Sequence, residues 1–123
     1  MKRILVVEDD DDMRELMRRT LERRGYDVVT ASDGIEGFDL ALGLRPDLII
    51  TDIHMPAADG AHLVRRVRDT LELLATPIIV TTGYGTGSAT LTLSQGADAY
   101  EPKPVDPASL LQNVERLLSG GVD

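Results

Sequence analysis

The sequence predicts an α/β fold: a doubly wound, five-stranded parallel sheet in the strand order 2-1-3-4-5, with helices on both faces. Short apolar runs alternate with amphipathic stretches along the chain, which is the pattern of repeated βα units. The runs contain few polar residues, as expected for strands that helices cover on both sides. Of the two common doubly wound strand orders, five strands fit 2-1-3-4-5. A chain of 123 residues is expected to form one domain, 1–123.

The first half of the chain contains three predicted strands and two predicted helices. The strands are expected at 4–7, 27–31 and 48–51, and the helices at 12–24 and 33–44. Gly25 ends the first helix, whose apolar residues recur at helical spacing. These residues are Met13, Leu16, Met17 and Leu21. The second helix is short and is weakened by Gly37.

The second half adds two strands and three helices. The strands are expected at 78–81 and 99–101, and the helices at 60–73, 88–95 and 106–118. Asp106 is the expected N-cap of the last helix, with Pro107 at its first position. The helix at 88–95 is weak, because its surroundings are rich in glycine and β-branched residues. Pro102 cannot donate a ladder hydrogen bond, which agrees with a fifth strand at the sheet edge.

The composition disfavours several classes of protein. The absence of Cys excludes a disulfide framework, a thiolate metal site and a cysteine nucleophile. The net charge of −8 disfavours direct binding to nucleic acid, whose phosphates need a basic surface. The apolar runs are too short to span a bilayer, and the first residues lead into a strand rather than a signal peptide. We therefore expect a cytoplasmic protein without direct nucleic-acid or membrane contact.

Polar residues follow four of the predicted strands. Five consecutive acids, 8–12, follow the first strand, Asp52 follows the third, Thr81 ends the fourth and Lys103 follows the fifth. In this fold, ligands bind at the carboxyl ends of the strands, and neighbouring strands lie about 4.8 Å apart. We therefore expect Asp9 and Asp52 to share one cation, with Thr81 and Lys103 beside them.

The residue types at these strand ends indicate the chemistry. Carboxylates without His or Cys ligands favour a hard cation such as Mg²⁺, for which Mn²⁺ could substitute. A hydroxyl and an ammonium beside the metal form a cradle for an anion, and a phosphoryl group is the anion we expect there. No Gly-rich phosphate loop is present, so a nucleotide is not the obvious ligand. Asp52 lies between the metal and the cradle, and carboxylates can act as nucleophiles toward phosphorus.

Four stretches of the chain match one known family. They are residues 4–9, residues 46–56 with Asp59-Gly60, residues 77–81, and residues 96–100 leading to Lys103-Pro104. In this order and spacing they are highly specific. Over essentially its whole length the chain resembles the receiver domain of two-component response regulators. The likeness is to a chemotaxis-regulator-like single domain with the flavodoxin-like receiver fold.

The resemblance implies a phosphoacceptor and a metal site. Asp52 would take a phosphoryl group from a histidine kinase or a histidine phosphotransfer protein. Asp9 and Asp52 would bind Mg²⁺ directly with the main-chain carbonyl of His54, and Glu8 would reach the ion through water. The incoming phosphoryl dianion needs the cation, because the carboxylates would otherwise repel it.

The resemblance also implies a switch. Lys103 would pair with the phosphoryl oxygens, and Thr81 would hydrogen-bond to one of them. Tyr100 would rotate inward when Thr81 moves, and the Lys103-Pro104 bond would be cis. In the family, the positions of His54 and Gly83 tune the loss of the phosphoryl group. Because Gly83 has no side chain, we expect the phosphoryl lifetime to depend on His54.

Several functions remain open on the sequence. The leading hypothesis is a phosphorylation-dependent switch that contacts a downstream protein and assists only its own phosphorylation and dephosphorylation. The chain is then a single-domain regulator, or the receiver of a longer DNA-binding regulator or hybrid histidine kinase, and it could dimerise on phosphorylation. A Mg²⁺-dependent aspartyl phosphatase is a weaker alternative, because it needs a cap domain and a general acid where the chain has His54. A non-phosphorylated interaction module would not require the acidic pocket.

Overall fold

The sheet has five parallel strands in the order β2-β1-β3-β4-β5, as predicted. The computed structural model describes residues 1–55, 60–83, 93 and 96–119. The strands are β1 (Arg3–Val7), β2 (Asp27–Ala31), β3 (Leu48–Asp52), β4 (Ile78–Thr82) and β5 (Ala99–Pro102). Three of them run one residue further at the carboxyl end than the sequence suggested, so that Asp52 is itself the last residue of β3.

Four α-helices occur in the part of the chain that the structure describes. They are α1 (Asp11–Glu22), α2 (Gly34–Leu44), α3 (Gly60–Arg68) and α4 (Pro107–Leu118). A short 3₁₀ helix at Leu71–Leu73 follows α3. The helix predicted at 88–95 lies outside the described residues, except for Leu93.

Helices cover both faces of the sheet. On one face, Leu5, Ile49 and Val80 join a core cluster with residues of α2 and α3, such as Phe38 and Leu63. On the other face, alternate strand residues join a cluster with residues of α1 and α4. These residues include Val6, Ile50, Ile79, Met17 and Leu110. The central strands β3 and β4 are buried throughout, which explains their nearly continuous apolar sequences.

Side-chain caps set the beginnings of three helices. The Asp10 carboxylate accepts a hydrogen bond from Met13 N at 2.9 Å, so α1 begins at Asp11 and not at residue 12. Asp33 caps α2 in the same way. Asp106 caps α4 with Pro107 at its start, which confirms the predicted N-terminus of that helix.

The helices α1 and α3 end earlier than predicted. After α1, the chain turns at Gly25, whose φ of 90° lies in the left-handed region that favours glycine. The helix α3 was expected to continue to residue 73, but it ends at Arg68 and Leu71 is 81% exposed. The Arg68 side chain donates hydrogen bonds to the main-chain carbonyls of Leu74 and Thr76. These bonds fix the segment that follows the helix in a non-helical path.

Pro102 lies in the edge strand β5, as its missing N–H group required. Within the described parts of the chain, no helix has the length and apolar character needed to cross a membrane.

Candidate functional site

Three carboxylates meet at the carboxyl ends of β1 and β3. Glu8 and Asp9 directly follow β1, and Asp52 ends β3, the neighbouring strand. One carboxylate oxygen from each residue lies within 4.8 Å of the others, close enough for a single small cation. The structure therefore contains the juxtaposition of Asp9 and Asp52 that the strand order predicted. Glu8 and Asp52 are buried, whereas Asp9 is exposed.

Asp52 is held on both of its carboxylate oxygens. Lys103 Nζ donates a hydrogen bond to Oδ2 at 3.0 Å, and His54 N donates to Oδ1 at 3.2 Å. The residue is only 3% exposed. Burial by itself lowers the pKa of Lys103, but the bond to Asp52 and the charges of Glu8 and Asp52 raise it above its ordinary value. The ammonium therefore stays charged beside the acids.

Glu8 is a buried acid whose pKa is raised. Its side chain is fully buried, its Oε2 accepts a hydrogen bond from Asp10 N at 3.1 Å, and its Oε1 forms an ion pair with Lys103 Nζ at 3.2 Å. Its pKa is raised to about 7, chiefly by burial and also by the charge of Asp52. The hydrogen bond from Asp10 N and the charge of Lys103 oppose this rise. One ammonium is thus shared between two buried acids.

The donor set fits a hard divalent cation. Carboxylate oxygens are the side-chain donors of this cluster, without His or Cys among its residues. The acids open on a cleft of about 450 Å³. It is lined by Glu8, Asp9, Asp10, Asp52, His54, Gly83 and Lys103. A Mg²⁺ ion here would offset the repulsion between acids that Lys103 balances only in part.

Thr81 lies next to Asp52, as predicted, while Tyr100 points away from the core. Thr81 pairs with Asp52 in the parallel register, is fully buried, and has no hydrogen-bond partner for its hydroxyl among the described residues. Tyr100 pairs with Val80 and is 37% exposed on the edge strand. The Lys103-Pro104 bond is cis, as the resemblance implied.

The role of Gly60 could not be derived from the sequence pattern. A Cβ atom at Gly60 would lie 1.9 Å from the main-chain oxygen of Asp52 and 2.8 Å from Ile53 Cα. Gly60 N also donates a hydrogen bond to Ile53 O at 2.9 Å. The first residue of α3 therefore packs directly on the main chain of the central acid. The sequence signals were a glycine at the start of a predicted helix and its place in the Asp59-Gly60 match, and neither specifies this contact.

Comparison with known proteins decides the family. The family model described as "Response regulator receiver domain" matches residues 4–115. The chain belongs to this family. The receiver domain is 43% identical over 117 residues to Response regulator MprA of Mycobacterium sp. (strain KMS). That match covers 94% of the chain and 50% of the relative, so the receiver domain spans about half the length of the curated relative.

Solved structures agree with this assignment. The receiver domain is similar to the chemotaxis protein CheY4 of Vibrio cholerae, with a TM-score of 0.88 and 33% identity over 94% of this chain and 98% of that one. It is also similar to the receiver domain of the sensor histidine kinase PA1611 of Pseudomonas aeruginosa PAO1. That match has a TM-score of 0.89 and 29% identity, and covers 96% of this chain and 98% of the other. The PA1611 structure holds a magnesium ion in its active-site cleft.

Proposed function

We propose that this receiver domain is a phosphorylation-dependent switch in which Asp52 accepts a phosphoryl group from a histidine kinase or a histidine phosphotransfer protein. One observation carries the proposal: a buried aspartate with Lys103 on one oxygen and two further acids within reach of a common cation. The domain comprises the whole chain, 1–123. It assists its own phosphorylation and dephosphorylation and catalyses no other reaction.

The transfer step uses the Asp52 carboxylate as nucleophile. One of its oxygens attacks the phosphorus of a phosphohistidine, and a P–O bond forms as the P–N bond breaks. The electron pair of the broken bond stays on the imidazole nitrogen of the donor, which then takes up a proton. Lys103, which donates to Asp52 Oδ2 before transfer, is close enough to pair with an oxygen of the new phosphoryl group afterwards.

Mg²⁺ is the cofactor that best fits the acidic cluster, and Mn²⁺ substitutes for it. Asp9 and Asp52 would hold the ion directly, with the main-chain carbonyl of His54 as a third ligand and Glu8 acting through water. When bound, the ion neutralises the negative charge that accumulates on the phosphoryl oxygens during transfer. The magnesium ion in the PA1611 receiver domain, a 29% identical relative, supports this assignment.

The switch consists of Thr81 and Tyr100. The Thr81 hydroxyl hydrogen-bonds to a phosphoryl oxygen, and Tyr100 then turns from its exposed position toward the space that Thr81 leaves. The burial of Thr81, with a hydroxyl that has no described partner, supports this role because the group is ready to accept a new contact. Two states that differ by a few contacts are enough for such a switch.

The output is a changed surface for a downstream protein, with a phosphorylation-dependent dimer as one form of it. The curated MprA relative is about twice as long as the matched region, so the same domain also occurs within longer response regulators. We propose a cytoplasmic location, with no direct contact to nucleic acid or to a membrane. The net charge of −8 supports the lack of nucleic-acid binding.

Intact-mass measurement tests the proposal. The chain is incubated with a small phosphodonor such as phosphoramidate and Mg²⁺, beside Asp52→Asn and a control, Asp69→Asn, which changes an exposed acid at the end of α3. We expect one added phosphoryl group on the wild type and the control, and none on Asp52→Asn. Phosphorylation of Asp52→Asn at the wild-type level, or sustained hydrolysis of added phosphoesters, would contradict the proposal.

A further inference from the structure

Three buried polar side chains form a row across the sheet. Thr81 on β4 pairs in the parallel register with Asp52 on β3 and with Glu101 on β5. Two residues earlier, the same three strands place Ile50, Ile79 and Ala99 in one core cluster, and those residues are register partners too. Because side chains alternate along a strand, the three polar residues project from that same face. Glu101 thus flanks Thr81 on the side opposite the acceptor aspartate.

Glu101 is a buried acid that lies outside the acidic cluster and the residues that line its cleft. Its Oε2 accepts hydrogen bonds from Ser109 Oγ at 2.9 Å and from Asn113 Nδ2 at 2.5 Å, and both donors belong to α4. Its Oε1 is buried and lacks a hydrogen-bond partner in the described structure. A buried carboxyl oxygen without a partner is unfavourable, so such a group needs an explanation.

Thr81 offers the complementary group. Its hydroxyl is a donor without a described partner. On the neighbouring strand, Oε1 of Glu101 is an acceptor that also lacks one. Neighbouring strands lie about 4.8 Å apart, so a change in side-chain torsion is enough to bring the hydroxyl and the carboxyl group together. A hydroxyl carries one proton and donates to one acceptor at a time.

We propose that, in the unphosphorylated domain, a change of side-chain torsion lets the Thr81 hydroxyl donate to Glu101, and that Glu101 competes for this hydroxyl with the phosphoryl group on Asp52. This inference rests on the proposed role of Thr81 in the switch. Phosphorylation draws the hydroxyl toward Asp52 and leaves Glu101 to its bonds with Ser109 and Asn113. Glu101 is therefore a positioning residue: it connects the acceptor site to α4 through its hydrogen bonds with Ser109 and Asn113.

The first test measures whether the two side chains are coupled. The effect of Glu101→Gln on the unfolding equilibrium is compared in three backgrounds of the metal-free chain: Thr81, Thr81→Ser and Thr81→Val. We expect Glu101→Gln to raise the unfolding equilibrium constant about three- to tenfold more in the two hydroxyl backgrounds than in Thr81→Val. The buried Thr51 faces the other core cluster, so Thr51→Val serves as a control and should behave like the wild type. Equal effects in all backgrounds would overturn the inference.

The second test measures the competition with the phosphoryl group. Beryllofluoride with Mg²⁺ serves as the phosphoryl analogue, and its Kd is measured by calorimetry for the wild type, Glu101→Gln and Glu115→Gln. Glu115 is an exposed residue of α4 that pairs with Arg24, so its change should leave the Kd unaltered. The amide oxygen of Gln is a weaker acceptor than a carboxylate, so Glu101→Gln should weaken the competition and lower the Kd about three- to tenfold.

The outcomes separate this inference from the proposed function. If the wild type binds the analogue and Glu101→Gln binds it equally well, the competition is refuted and the phosphoacceptor role stands. If the wild type binds no analogue, the phosphoacceptor role is contradicted, and the competition with it.

Discussion

Lys103 Nζ lies 3.0 Å from Asp52 Oδ2 at the mouth of the acidic cluster. The same ammonium pairs with Glu8, so a single cation balances two buried acids. Removing one partner from a buried ion pair leaves an uncompensated charge, which is more unfavourable than losing a surface pair. The resting site therefore depends on Lys103, and a divalent cation bound there would share its carboxylates with this ammonium.

Replacing Lys103 should tighten Mg²⁺ binding and weaken the metal-free fold. In Lys103→Ala, the acids repel one another without the ammonium, so the unfolding free energy falls while the attraction for Mg²⁺ rises. Calorimetric titration should show a lower Kd for Mg²⁺ than in the wild type. Lys2→Ala is the matched control, since Lys2 is the other lysine of the chain and is exposed before β1. A Kd equal to that of Lys2→Ala would show that the ammonium does not oppose the metal.

The stability of the metal-free domain should depend on the titration of Glu8. Its pKa is raised from 4.5 to about 7, so the folded state binds this proton more tightly than the unfolded state does. The stabilising effect of the proton is complete below pH 4.5 and is lost as the pH rises to 7. Glu8→Gln removes this dependence, and its stability advantage over the wild type should grow between pH 5 and pH 8 in urea unfolding with chelator. Parallel pH profiles of the two proteins would rule out the assignment.

Gly60 should not tolerate a side chain. A Cβ atom there would overlap the main-chain oxygen of Asp52, so Gly60→Ala must displace either α3 or Asp52. We expect a loss of roughly 2 kcal/mol or more in unfolding free energy, together with slower phosphorylation. Gly43→Ala is the control: Gly43 lies in α2, where a Cβ atom would meet nothing within 4 Å, and alanine there should stabilise the helix by up to about 1 kcal/mol. Similar stabilities of the two variants would argue against the contact.

The phosphoryl lifetime should depend on His54. This residue is exposed and lines the cleft together with Gly83, which has no side chain to exclude water. His54→Ala should admit water to the acyl phosphate and shorten its half-life severalfold, because water exclusion protects reactive intermediates. The decay is followed by intact mass after the phosphodonor is removed. His62→Ala, on the exposed side of α3, should leave the half-life unchanged. An unaltered half-life in His54→Ala would refute this prediction.

The fold and the meeting of the acids were predictable from the sequence. The apolar runs show where each strand ends and therefore which residues follow it. The strand order then determines which of those residues are neighbours. Asp52 and Thr81 are register partners for this reason. Helix ends were less predictable, because contacts distant in sequence set them. The end of α3 coincides with the hydrogen bonds of Arg68 to Thr76 and Gly96, which no periodicity reveals.

Two further features depend on packing that the sequence expresses only weakly. Glu101 alternates with Ala99 on the buried face of β5, so a period of two would have placed it in the core. A charged residue at a strand end is more often exposed, so its residue type gives no sign of this burial. The approach of Gly60 to Asp52 depends on the angle at which α3 meets the sheet, and a glycine in a motif does not specify that angle.

Chemical trapping of the phosphorylated residue tests the central claim most directly. Borohydride reduces an acyl phosphate to an alcohol, so a phosphorylated aspartate becomes homoserine, which peptide mass mapping locates. After incubation with phosphoramidate and Mg²⁺, we expect homoserine at Asp52 alone, and none when Mg²⁺ is chelated. Homoserine at Asp9 or another acid, or its absence from a chain that carries the phosphoryl mass, would contradict the account.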